Sequence, residues 1–144
     1  MAARTKNKGI PTMSDDKVKK FEELIKLVDK EYTAIYNFSK KPVNEKDPDS
    51  IAERLARSAE HLTTSGRLKT HAKYILTIET AAVRTRLPDA HKEQREAEVA
   101  EAQRRLDSCD RLNASLTHQI DALRSLLSWW KEDRVACRTT SSPR

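Results

Sequence analysis

The chain is 144 residues long, enough for one domain, with 35% charged, 37% hydrophobic and only 5% aromatic residues. Two glycines and five prolines supply too little turn chemistry for a sandwich or barrel, which needs a turn about every 8–12 residues, and none for a Gly-rich phosphate loop. The net charge of +6 is not a nucleic-acid footprint. Arg4, Lys6 and Lys8 at one end and Arg134, Arg138 and Arg144 at the other account for all of it, and no cationic surplus is left to cluster on a face.

Residues 1–13 read as a disordered basic tail, and a first helix is expected over 14–39. Ser14 is a good N-cap, and Asp15 and Asp16 fall in the first turn, where the helix dipole favours acids. Val18, Phe21, Ile25, Val28, Tyr32 and Ile35 then recur in steps of three and four. Leu24, Tyr36 and Phe38 widen that stripe beyond a coiled-coil seam. Lys40-Lys41-Pro42 through Asp47-Pro48-Asp49 is polar and carries two prolines, so the helix stops there.

Ser50-Ile51-Ala52-Glu53 has the form of a capping box and opens a second helix over 50–87. Its apolar positions are Ile51, Leu55, Ala59, Leu62, Leu68, Ala72, Ile75, Ala82 and Val83. The seven-residue spacing shortens before Leu68, where Thr63-Thr64-Ser65-Gly66 brings four mediocre or poor helix formers together. A kink or short interruption is expected there; the other reading is one continuous helix whose apolar face drifts.

Leu87-Pro88-Asp89 closes the second helix, and Asp89 is the expected N-cap of a third, over 89–134. Val99, Ala102, Leu106, Cys109, Asn113, Leu116, Ile120, Leu123, Leu127 and Trp130 follow in unbroken steps of three and four. A helix of about 45 residues reaches roughly 68 Å, against roughly 39 Å for the first. That mismatch predicts an exposed stripe from Leu116 to Trp130, available to a partner. Residues 135–144 read as a second disordered tail. The expected fold class is therefore all-α: an elongated three-helix hairpin or coiled-coil bundle with disordered basic tails.

The residues expected to bind a partner are Asn113, Leu116, Ile120, Leu123, Leu127, Trp129 and Trp130. Asn113 sits at an a-type position, where a buried amide selects register and partner; the alternative is that it faces solvent. Asn113-Ala114-Ser115 also matches a glycosylation sequon, accidental in mid-helix. Trp129 and Trp130 point about 100° apart, the second along the stripe and the first beside it, as interface anchor or core residue.

No chemistry is written in the pattern. Cys109 and Cys137 lie in unlike settings, which favours a reducing compartment over a disulfide framework. His61, His71, His91 and His118 never fall one turn apart, and no nucleophile elbow, Walker loop or paired-cysteine motif occurs. The carboxylates alternate with Lys and Arg, as solvated helix faces do. Neither catalysis nor a cofactor, metal or small-molecule substrate is expected, and nucleic acid only weakly through the tails. No apolar run reaches the ~18 residues of a membrane span, and no hydrophobic stretch follows the first basic residues, so no secretory signal is expected.

Two stretches carry a likeness. Glu53-Arg54-Leu55 followed by Leu62, Leu68 and Ile75, and Asp121-Ala122-Leu123-Arg124-Ser125-Leu126-Leu127 with the tryptophans just beyond, resemble the middle and last helices of small coiled-coil subunits of the Mediator head module. The subunit 30 family is the nearer, the subunit 28 family the second. The likeness spans about residues 17–131, but Ser128 separates the aliphatic pair from the first Trp, and His61-Leu62-Thr63-Thr64 stands where the subunit 28 family has aromatics. The resemblance implies a non-catalytic nuclear subunit of a transcription coactivator complex, docked to other helical subunits and linking activators to RNA polymerase II. The alternative is a cytoplasmic or cytoskeletal coiled-coil adaptor of a vesicle-tethering, kinetochore or tubulin-associated complex.

Overall fold

The computed structural model describes residues 14–141, with side chains through residue 134; the expected tail over 1–13 lies outside the described residues. Four helices follow one another: α1 (Asp15–Lys40), α2 (Pro48–Arg86), α3 (Lys92–Glu98) and α4 (Ala100–Ser141). Among the described residues there is no strand, so the chain is all-α.

The cross-helix pairs fix the directions. Ser65 meets Asn113 and Lys69 meets Asp110, so one partner retreats as the other advances and α2 runs antiparallel to α4. Asp29 meets Arg105 and Ser39 meets Gln119, both advancing together, so α1 runs parallel to α4. The core lies where the three long helices meet. Phe21, Val28 and Ile35 come from α1, Leu68, Ala72 and Ile75 from α2, and Ala102, Cys109, Leu112 and Leu116 from α4. Each large aliphatic side chain buried there contributes about 1.5–3 kcal/mol.

α1 begins as its sequence dictates, with the Ser14 hydroxyl accepting from the Lys17 N–H at 3.4 Å. α2 begins earlier than expected. Asp47, not Ser50, is the N-cap: its carboxylate accepts from the Asp49 N–H at 3.1 Å and from the Ser50 hydroxyl at 2.7 Å. Pro48 fills the first turn, where a missing N–H costs nothing. The far end of α1 is capped from α2: Arg54 Nη2 donates to the Phe38 carbonyl at 2.8 Å, with the guanidinium 4.2 Å from the Phe38 ring centroid.

The interruption expected at Thr63–Gly66 does not occur: α2 is unbroken over 39 residues. Its buried row runs Ile51, Ser58, Ser65 and Ala72, a strict seven-residue spacing that two small polar residues had hidden. Ala59, expected to face inward, is exposed. Within the unbroken helix Thr63, Thr64 and Thr70 return their hydroxyls to the carbonyls of Ala59, Glu60 and Gly66.

The third expected helix is two. His91 takes the N-cap position instead of Asp89, without a side-chain hydrogen bond. Val99, at φ −106° and ψ 11°, leaves the helical region and separates α3 from α4, whose first turn closes through Gln103 N–H to the Val99 carbonyl at 3.0 Å. At the other end α4 continues to Ser141. The backbone of 135–141, expected as tail, is helical; 142–144 lie outside the described residues.

The unbroken α2 also overturns the exposed stripe. Leu116 is 0% exposed, Ile120 3% and Leu123 8%. A continuous run of 39 residues reaches roughly 58 Å and covers α4 along the length that α1 alone could not.

Candidate docking site at the loop end of the bundle

Beyond Leu123 the cover thins. Leu126, Leu127 and Trp130 are half-buried, and Trp129 is 54% exposed. The α1–α2 loop lies against this end, and Trp130 Nε1 donates to the Glu45 carbonyl at 3.0 Å. Trp129 packs on its neighbour edge-on, with ring centroids 5.0 Å apart and planes at 74°, the arrangement the ring quadrupoles favour. One indole is thus anchored to the loop and holds the other outward.

Beside the pair, between loop and α4, lies a cleft of about 230 Å³ with Val43, Ala122, Leu123 and Leu126 as its apolar wall. Gln119, which donates to the Ser39 carbonyl at 3.3 Å, and Arg54 form its polar side. Across the loop a second cleft, of about 240 Å³, shares Lys41, Val43 and Arg54 with the first and adds Phe38 and Arg57. Arg57 also stands over the Phe38 ring, at 5.7 Å, and the His61 ring packs on the Phe38 ring, tilted by 50°, at 4.3 Å between centroids. Burial, then the charge of Arg57, holds both the Arg54 guanidinium and the His61 imidazole below their ordinary values; for His61 the nearby Glu60 opposes that shift and Arg54 adds to it.

The seven residues expected to bind a partner therefore divide. Trp129, with Trp130 and Leu127 behind it, sits at this end. Leu116, Ile120 and Leu123 belong to the chain's own core. Asn113 is half-buried, and its Nδ2 donates to Ser65 Oγ at 2.9 Å, a bond between two helices of one chain. The polar group that matches its amide is intramolecular.

A charged tie went unread in the sequence. Arg105, its side chain 10% exposed, bonds both carboxylate oxygens of Asp29 at 2.9 and 3.4 Å and lies 3.7 Å from Glu101. Burial pulls its guanidinium down, but the hydrogen bond and charge of Asp29 outweigh that and hold it above its ordinary value. Burial raises the Glu79 carboxyl, against the pull of Arg105 and with Glu101 adding to the rise. Only a long-range pairing of α1 with α4 creates this tie, and sequence spacing carries no sign of it.

Cys109 is buried, and desolvation, with Asp110 adding, pushes its thiol up to about 11, the opposite of an activated nucleophile. Among the described residues no three His, Cys, Asp or Glu side chains gather to hold a metal ion, and no helix is long and apolar enough to cross a membrane. No protein-family model, curated protein or solved structure matches the chain.

Proposed function

We propose that the chain is a non-catalytic interaction subunit of a multiprotein complex, docking through the loop end of its bundle. The observation that carries this reading is Trp129: a large aromatic held 54% exposed on an indole that the α1–α2 loop pins in place. An exposed aromatic packed on a hydrogen-bonded neighbour, beside a cleft with one apolar wall, is what an interface anchor requires.

In its specific form the complex is a nuclear transcription coactivator of the Mediator type, which the likeness in the second and last helices supports. The test is purification of the tagged chain from its native cells at moderate salt, side by side with a Trp129→Ala variant. Mediator head subunits recovered with the parent and lost with the variant are the expected result. Recovery of tethering, kinetochore or tubulin-associated proteins instead rejects the coactivator reading. An unchanged set of partners with the variant rejects Trp129 as the anchor.

A further inference from the structure

At the opposite end of the bundle, α2, α3 and α4 enclose a groove of about 420 Å³ to which α1 contributes no wall. We propose that this groove is a second docking site, for an acidic amphipathic helix of a partner protein. The proposal stands independently of the reading of the Trp129 end.

The floor is apolar and comes from all three directions: Leu76 and Val83 from α2, and Val99 from the break between α3 and α4. Two long antiparallel helices flank it, so a further helix laid between them completes a four-helix packing with its apolar face inward.

The rim sets the sign of the occupant. Arg84, Lys92 and Arg95 stand around the groove against a single carboxylate, Glu96, which pairs with Lys92 at 3.8 Å. One turn either side of Arg84 are Thr80 and Pro88, and one turn either side of Arg95 are His91 and Val99, so neither arginine has an acid four residues away on its own helix. Glu98, the next acid along α3, is taken by Arg86 at 3.0 Å. The element that presents Lys92 and Arg95 buries no residue of its own; α3 lines the groove with Lys92, Arg95 and Glu96 and adds nothing to the core.

Charge also excludes nearer candidates. Residues 1–13 carry Arg4, Lys6 and Lys8 and no acid, so they are no charge match for the rim. The exposed faces of the chain's own helices mix both signs, and a second copy offers no uniformly acidic face. A partner helix with Leu or Phe at one-turn spacing and Glu or Asp on its flanks matches both floor and rim.

The test uses two synthetic helical peptides with identical Leu anchors at one-turn spacing, one flanked by Glu and the other by Lys. Each is titrated by fluorescence anisotropy and by amide chemical shifts into the full chain. The expected result is saturable binding of the Glu peptide, with shifts over residues 76–84 and 92–103. The paired variant Arg84→Glu/Arg95→Glu changes two surface positions, and its helicity is checked by circular dichroism. It is expected to weaken the Glu peptide by about tenfold or more and to gain binding of the Lys peptide. The proposal is overturned by no binding of the Glu peptide, by equal binding to parent and variant, or by shifts confined to the Trp129 end. It is also overturned if binding appears only after deletion of residues 1–13 or on dissociation of a dimer, since the occupant is then the chain's own tail or a second copy.

Discussion

The Asn113 amide donates to the Ser65 hydroxyl at 2.9 Å, while that hydroxyl donates in turn to the Leu62 carbonyl at 2.9 Å. One turn-pair earlier on the same face, Ser58 is also 0% exposed, but its hydroxyl has no partner. Two serines seven residues apart are thus energetically opposite. Ser65→Ala is expected to cost about 1 kcal/mol, because the half-buried amide loses its acceptor. Ser58→Ala is expected to gain about 1 kcal/mol, since it removes an unsatisfied buried hydroxyl and adds helix propensity. Urea midpoints of the two variants check both signs, and the Ser65/Asn113 double-mutant cycle should return a coupling of about 0.5–1.5 kcal/mol.

Buried and exposed side chains separate along α4. Leu116 is fully buried, so Leu116→Ala is expected to cost about 2–5 kcal/mol through lost burial and the cavity left behind. Trp129→Ala removes an edge-on ring contact and should cost under about 1.5 kcal/mol. Aspartate at Leu116, Ile120 and Leu123 together is expected to unfold the chain rather than merely detach a partner. Thermal melts of the free protein distinguish these outcomes.

Glu79 gives stability a slope with pH. Its carboxyl is raised above the ordinary value of 4.5, first by burial, so the folded chain binds this proton more tightly than the unfolded one. The contribution is fully present below 4.5 and is lost as pH rises through the raised folded value. Glu79→Gln should flatten that part of the profile. Asp47 acts in a separate, more acidic window: the Ser50 hydroxyl and the Asp49 N–H lower its carboxyl below 3.8, so its contribution is lost as pH falls through the folded value. Urea midpoints across about pH 3–8 check both; an unchanged slope above 4.5 in Glu79→Gln would refute the assignment.

Cys109 is expected to resist thiol reagents while the chain is folded, because it is buried and its thiol is raised to about 11. In a Cys137→Ser background, disulfide-exchange labelling at about pH 8 should be slow in native buffer and accelerate with denaturant in step with unfolding. Fast labelling of the native protein would contradict the buried setting.

Much of the fold was legible. The stripe from Val18 to Ile35, the Ser14 cap and the proline-bearing loop each encode local structure through spacing and backbone chemistry, and those signals act within a turn or two. The loop end of the bundle was legible only in its tryptophans. Leu116, Ile120 and Leu123 carry the same signal whether they pack on a partner or on the chain itself, because an apolar stripe states that a face is buried and not against what.

Sequence by itself determined that the chain is helical, where its first helix starts, and that its excess charge sits at the two ends. Tertiary structure decided the rest. Ser58 and Ser65 are core because an unbroken α2 carries their heptad row against α4, and Ala59, apolar in isolation, faces water. Asp29 and Arg105 pair across 76 positions because α1 runs parallel to α4. The groove at the α3 end exists because Val99 breaks a helix that periodicity alone would continue. Periodicity is a local property, whereas pairing depends on which faces of distant segments exclude water together.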